Sequence, residues 1–432
     1  MSRRDMSSTA ALAVVTIIFF TWGGLTSLND VLIPHLKAVF QMNYTQSMLI
    51  QSTFFGAYFL MSLPASKVVA KFGYKNSIVI GLIVAAIGAA MFFPAARIPS
   101  YPMFLAALFV LASGITLLQV SANPYISLLG DPAGAPSRLN LAQALNSLGT
   151  TIFPPVIGSL ILAGTVLSLD ELAAKPVAEQ IAYRAHEAAA VQVPYMIIAG
   201  CLLLLAVFVY TMRIPSLAEA TESADPVHHS FAEVLGQKHL FFGVIAIFVY
   251  VGAEVSIGSF LINYISEPAI ANFDHVEAAK HLAYYWGGAM VGRFIGAALL
   301  RVVDARKLLA LFAVAVMALL VITMSTKGTI AMWTVLAIGL FNSIMFPTIF
   351  TIAIERLGPL TSKASSLLIM GIVGGAVIPL AQGALSDTIG VQHSFVIPLV
   401  CYAFIVWYGF AGSRIRAGQG QHASTQASGV MH

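Results

Sequence analysis

Apolar residues run along this chain in blocks of roughly 20, and the polar residues gather between them. Windows of that length predict twelve helices, over residues 10–35, 46–66, 76–95, 101–127, 139–163, 193–213, 240–265, 281–300, 307–326, 329–352, 364–385 and 394–412. The fourth and tenth are long enough to tilt in a bilayer. Most connections are short. The two longest polar stretches are 164–192, rich in Ala and Glu, and 214–239. The second divides the chain in half. The expected organisation is a six-helix bundle over 1–213, a cytoplasmic linker over 214–239, a second six-helix bundle over 240–412, and a cytoplasmic disordered tail over 413–432.

The halves repeat. At an offset of 225 residues, "RLNLAQALNSLGTTIFPPVIGSL" meets "KASSLLIMGIVGGAVIPLAQGAL", so that Gly149 falls on Gly374, Pro154 on Pro379 and Gly158 on Gly383. At 229 the first predicted helix meets the seventh, with Gly23 on Gly252 and Ser27 on Ser256. Two six-helix halves of the same topology are the plan of the major facilitator superfamily, in which substrate binds near the midplane between the halves.

Composition points the same way. Hydrophobic residues make up 59% of the 432 and charged residues 9%, against about 25% charged in soluble domains. The predicted fold class is therefore an all-α integral membrane protein with twelve transmembrane helices in two pseudo-symmetric bundles. The basic lead "MSRRDMSSTA" runs into an apolar stretch too long for a cleavable signal. If the N-terminus is cytoplasmic, the outside segments hold only Lys37, Arg97, Lys175, Arg184, Lys280 and Lys327 of the 22 Lys and Arg residues. Both termini are then expected on the cytoplasmic side of an inner membrane. The net charge of +4 follows this loop pattern and gives no reason to expect nucleic acid. Cys201 and Cys401 lie in apolar runs and read as two packed thiols rather than a disulfide or zinc site. There is no GxxxxGK(S/T), HExxH or CxxC, and no nucleophile–base pair, so neither ATP use nor an enzyme is expected, and no cofactor or resident metal.

Candidate chemistry lies in the polar residues inside the blocks. Intramembrane acids are rare and usually face a cavity, and of 18 Asp and Glu only Asp30 and Glu254 fall well inside predicted helices. Gly23, Ser27 and Asp30 share one helix face, with Asn29 adjacent. Asp30 reads as a coupling or substrate group, or as a tie between helices. A carboxyl that meets changing surroundings takes up and releases a proton with state, as a proton symporter requires. Glu254 is flanked by Gly252 and Gly258, while Ser256, Ser259 and Asn263 form a separate face. Either that helix breaks at its glycines or Glu254 faces a neighbouring helix. All ten His residues lie in loops, tails or helix ends, so coupling through a His relay is not expected.

Amides form two stripes. Gln119 and Asn123 follow Thr116 at steps of three and four; Gln143 and Asn146 lie between Asn140 and Thr150. An amide donates and accepts in one plane, which suits a polyhydroxy ligand; amide glue between helices is the plainer reading. Gln51, Asn342 and Gln382 are weaker single examples. Trp22, Tyr284, Tyr285 and Trp286 suit stacking on a sugar ring, and the last three suit an interfacial belt almost as well.

The segments "LNDVLIPHL", "QSTFFGAYF", "LLQVSANPYISLLG", "RLNLAQALNSLGT", "VPYMIIA", "YVGAEVSIGSFLINY", "GRFIG" and "FPTIFTIAIERLG" resemble the bacterial fucose permease and glucose/galactose transporter family. These are sugar–cation symporters of the major facilitator superfamily, and the resemblance runs from about residue 15 to 410. It implies cation-coupled sugar uptake by alternating access. Asp30 matches the acid that fucose permeases carry on the first helix. Their second acid, on the fourth helix, is replaced here by Gln119, and the amide of their seventh helix by Glu254. "LQ…ANP" and "GAE" bring the chain nearer the glucose/galactose branch. Fucose and N-acetylglucosamine remain alternatives. Asp30 titrates alone or with Glu254, and sodium near Asp30 stays open beside the proton.

The reading that results is a hexose symporter, proton-coupled before sodium-coupled, working as a monomer in the lipid bilayer. Asp30 and Glu254 couple the cation. Asn29, Gln119, Asn123, Gln143, Asn146 and Asn263 bind sugar. The superfamily's Asp-Arg loop motif is reduced here to "ASKVVAKFGYKNS", and its counterpart reads "GRFIGAALLRVVDARK". Lys67, Lys71, Arg138, Arg293, Arg301 and Lys363 are candidate gating residues through ion pairs and helix ends; positive-inside anchoring is the alternative. A drug exporter would want a more apolar cavity, and a sensor on a transporter scaffold would add a large soluble domain.

Overall fold

The computed structural model describes residues 7–40, 44–98, 100–161, 174–213, 215 and 230–415. All regular elements among them are helical. Contacts divide the chain into two compact units, Met1–Gly130 with Leu141–Leu217 and Asp131–Asn140 with Ala218–His432.

The first unit is built from α1 (Ser8–Phe40), α2 (Tyr44–Arg97), α3 (Tyr101–Leu128), most of α4 (Ala135–Ile161), α5 (Val177–Ala189) and α6 (Gln192–Thr211). α2 holds two of the predicted helices. They are separated at Gly73, whose φ of 72° is a left-handed value that only glycine adopts without strain. The short helix α5 falls in a stretch read from sequence as a polar connection. It lies against α1 and α2.

The second unit contains α7 (Phe231–Leu235), α8 (Lys238–Ser266), α9 (His275–Leu299), α10 (Ala305–Ser325), α11 (Gly328–Asn342), α12 (Met345–Ala353), α13 (Thr361–Met370), α14 (Gly374–Ile389), α15 (Val391–Ser394) and α16 (Val396–Trp407). α8 is continuous, so of the two readings for Glu254 the glycine-broken helix is excluded. The tenth predicted helix is interrupted: α11 ends at Asn342 and α12 starts at Met345. The eleventh passes through a 3₁₀ turn, Gly371–Val373.

Nine helical stretches among the described residues are long and apolar enough to cross a bilayer, and one of them, Ser52–Arg97, covers two predicted spans. The other two predicted spans are α4 and α9. Both are helical, and α9 carries Glu277, Lys280 and Arg293. The chain is a multi-pass membrane protein with the twelve-helix plan read from its sequence.

The repeat reappears as packing. In the first unit α4 crosses α1 so closely that a Cβ on Gly149 would run into the Phe20 carbonyl oxygen, and one on Gly23 into that of Asn146. In the second, a Cβ on Gly374 would run into the Phe248 carbonyl oxygen, and one on Gly252 into Ile378. The glycines paired by offset thus make equivalent helix crossings. Small residues let helix backbones approach in a solvent that offers no hydrophobic drive for association.

Candidate functional site

In the first unit the amide stripes are buried. Gln119 on α3 donates from Nε2 to the Tyr58 hydroxyl on α2 at 2.9 Å. Asn123, one turn further along, is fully buried, and its Nδ2 has no hydrogen-bond partner among the described residues. Gln143 on α4 reaches Asn123 Oδ1 from Nε2 at 3.4 Å, a long bond that nevertheless brings two of the predicted residues together. Asn146 donates from Nδ2 to the Phe19 carbonyl at 3.0 Å, next to the glycine crossing. It therefore ties α4 to α1. Asn29 and Asp30 lie on α1, but their side chains fall outside the described residues.

In the second unit the centre is Asn342, which sequence reading ranked low. Its Nδ2 donates to the Tyr285 hydroxyl at 2.9 Å, and its Oδ1 accepts from the Tyr402 hydroxyl at 2.8 Å. The Tyr250 hydroxyl donates to its backbone oxygen at 2.9 Å. Tyr285 in turn donates to the Glu254 backbone oxygen at 3.3 Å. Glu254 is half-buried, and the Arg293 charge and the Tyr250 hydroxyl both act on its carboxyl. Tyr285 is fully buried in this network, whereas Tyr284 and Trp286 are exposed. Of these three, Tyr284 and Trp286 keep the exposure that a belt needs, while Trp22 on α1 is buried with its ring 4.1 Å from that of Phe19. Asn263 is exposed, about 2.5 helical turns beyond Glu254, so these two predicted residues are not brought together. Ser256 is buried, and its hydroxyl has no partner among the described residues.

The two amide–tyrosine bonds are related by the repeat. Gln119 and Asn342 stand 223 residues apart, as do Pro124 and Pro347, and Tyr58 and Tyr285 stand 227 apart. An amide on α3 or α11 donates to a tyrosine on α2 or α9 in each unit. Sequence reading missed Tyr58, Tyr250 and Tyr402, because a tyrosine in an apolar block looks like packing. For Tyr58, the similar offsets of the amide pair and the tyrosine pair were the available signal.

The candidate gating residues sit in several environments. Lys67 and Arg301 are exposed. Lys71 lies 5.2 Å from the Phe72 ring centre and Lys363 5.4 Å from that of Phe231. Arg138 donates from a terminal guanidinium nitrogen to the Asp131 carbonyl at 2.7 Å, inside the segment grouped with the second unit. In that segment Asn140 also donates to the Arg293 carbonyl at 2.7 Å. Arg293 itself donates from Nε to the Ser343 carbonyl at 3.3 Å. The shortest ion pair among the described residues is Arg306–Glu355, at 2.6 Å. Glu355 was missed because nothing in the linear order places it beside Arg306. Of the two cysteines, Cys401 is buried and Cys201 exposed, so only one is a packed thiol; both are free.

Helices of bilayer length, glycine crossings repeated in two units and polar side chains enclosed in apolar bundles define a secondary transporter of the membrane. The chain belongs to the Major Facilitator Superfamily, whose family model matches residues 14–372. Such proteins move solutes and are not enzymes. The chain is 53% identical over 404 residues to a glucose/galactose transporter of Brucella abortus, covering 94% of each protein. It is 35% identical over 399 residues to an L-fucose-proton symporter of Escherichia coli, covering 91% of each. A crystal structure of the E. coli fucose:proton symporter superposes with a TM-score of 0.88 at 33% identity, over 95% of this chain and all of that one.

Proposed function

We propose that this protein takes up a hexose, glucose- or galactose-like, across the inner membrane by alternating access, driven by a proton gradient. The observation that carries the reading is the set of amides buried on α3 and α4, in a chain more than half identical to a glucose/galactose transporter. Gln119, Asn123 and Gln143 offer sugar hydroxyls donors and acceptors in planes fixed by their neighbours. Asn146, Asn29 and Asn263 complete the sugar contacts. Asp30 carries the coupling proton and Glu254 is its second. The likeness to a fucose-proton symporter favours the proton over sodium. Lys67, Lys71, Arg138, Arg301 and Lys363 hold the cytoplasmic gate, both termini are cytoplasmic, and the monomer is the working unit.

The test is uptake of a labelled sugar panel into proteoliposomes, with and without sodium and with a protonophore. Glucose or galactose should accumulate, and the protonophore should abolish accumulation whether or not sodium is present. Asp30→Asn should still exchange sugar across the membrane but lose gradient-driven accumulation. Wild-type accumulation by that variant would remove Asp30 from coupling.

A further inference from the structure

Pro347 has no N–H, so it cannot bond the carbonyl four residues before it, that of Ser343. The helix opens at that point, between α11 and α12. Proline alone does not dictate the opening, because α3 runs unbroken through Pro124, the residue that matches Pro347 in the repeat. Within a bilayer an orphaned carbonyl must find another donor. Here the donor comes from another helix: Arg293 on α9 places Nε 3.3 Å from the Ser343 oxygen. The preceding carbonyl, that of Asn342, receives the Tyr250 hydroxyl from α8. Two side chains from two helices thus bond the two carbonyls at the break. The same break carries Asn342, whose side chain fixes Tyr285 and Tyr402, and both Arg293 and Tyr250 also act on the Glu254 carboxyl.

We propose that Arg293 is a positioning residue that supplies the hydrogen bond Pro347 removes and so holds the α11–α12 break, with Asn342 and its tyrosines, in place beside Glu254. This differs from a gate charge. A gate charge needs only a cation at the membrane face, whereas this role needs a donor aimed at one carbonyl. It rests on the transport reading only for its second readout.

The experiment compares Arg293→Gln, Pro347→Ala and the double variant. The first readout is hydrogen–deuterium exchange over residues 340–350 of the purified protein, which loss of a gate charge alone would not move. The second is initial glucose or galactose uptake in proteoliposomes. Arg293→Gln should speed exchange across the break and lower the maximal rate about tenfold, with KM changed no more than about threefold. The Pro347→Ala change brings an N–H that can bond the Ser343 carbonyl. In its presence the Arg293→Gln change should therefore leave both readouts close to those of Pro347→Ala alone. Equal damage in both backgrounds, or unchanged exchange in Arg293→Gln, overturns the proposal. If Pro347→Ala does not fold, Pro347→Ser restores the same N–H. If the wild-type protein moves no sugar, the transport reading fails and the exchange readout still decides the role of Arg293.

Discussion

Tyr58→Phe removes one oxygen and keeps the ring, so it isolates the bond to Gln119. Tyr58 is 3% exposed and Gln119 7%, so no bulk water takes the place of the lost hydroxyl. Leaving a buried amide N–H without a partner costs about 1–3 kcal/mol. Side-chain hydrogen bonds between membrane helices average nearer 0.6 kcal/mol, with about 1.7 as an upper value. The bond here is short, at 2.9 Å, and both partners are enclosed, which places the loss in the upper part of the membrane range, at about 1–1.7 kcal/mol. Part of the loss falls on stability and part on the site, because the tyrosine fixes the plane in which Gln119 presents its amide. Sugar affinity should weaken by about 3- to 10-fold, since about 1.4 kcal/mol is tenfold. The assay is sugar binding to the purified protein, with a thermal melt alongside. Gln119→Ala should weaken binding at least as much, and adding Tyr58→Phe to it should change little, because the amide that the tyrosine orients is gone. An unchanged affinity and melting temperature in Tyr58→Phe would refute the reasoning. Fully additive losses in the double variant would show that Tyr58 acts on something other than Gln119.

The remaining predictions concern packing and pH. Gly149→Ala and Gly374→Ala each drive a Cβ into a carbonyl oxygen of the crossing helix, so each should destabilise its unit by about 1–3 kcal/mol or more in a melt; Gly56→Ala, with open space around its Cβ, is the control, and equal melting of all three would contradict the crossing geometry. Burial raises the pKa of the Glu267 carboxyl, just beyond α8, and nearby His393 offsets part of the rise. The folded state therefore disfavours the ionised acid. The penalty is absent below the unfolded carboxyl range and fully present once the pH passes the raised value. Glu267→Gln should raise the melting temperature at about pH 7 and leave it unchanged at about pH 4, where the acid is protonated in either state; the gain is modest because Glu267 is only partly buried. A gain of equal size at both pH values would assign the effect to packing.

Length and hydropathy suffice for the helices because a bilayer forces each span to satisfy its own backbone. The same rule hides the interruptions. The break after Asn342 looks apolar and continuous in sequence, and it exists because side chains from α8 and α9 supply what the local backbone cannot. The helix α5 was missed for the opposite reason, since a polar amphipathic segment outside a span gives no length signal. Gln119, Asn123, Gln143 and Asn146 were legible because amides stand out against apolar neighbours. Their partners were not: Tyr58 reads as core, the Phe19 carbonyl belongs to every residue alike, and Glu355 gains meaning only when Arg306 is brought to it.

The repeat separates what the scaffold requires from what transport requires. Glycines that match by offset make matching helix crossings, and the amide–tyrosine bonds recur in both units. The shared glycine crossings are accounted for by packing two similar bundles, while each shared amide–tyrosine bond also fixes the plane of an amide. The acids do not follow the repeat. At the offset of 229 that pairs Gly23 with Gly252, Asp30 falls on Ser259, and Glu254 falls on Leu25. The break does not follow it either, since Pro124 leaves α3 whole. A carboxyl in the membrane is expensive to keep, and no symmetry of the fold calls for either one. The residues that depart from the repeat, Asp30, Glu254 and the Ser343 carbonyl with its Arg293 donor, are thus where the two halves differ in chemistry. Coupling a proton to sugar movement needs such a difference, because two identical halves would give the proton no preferred site.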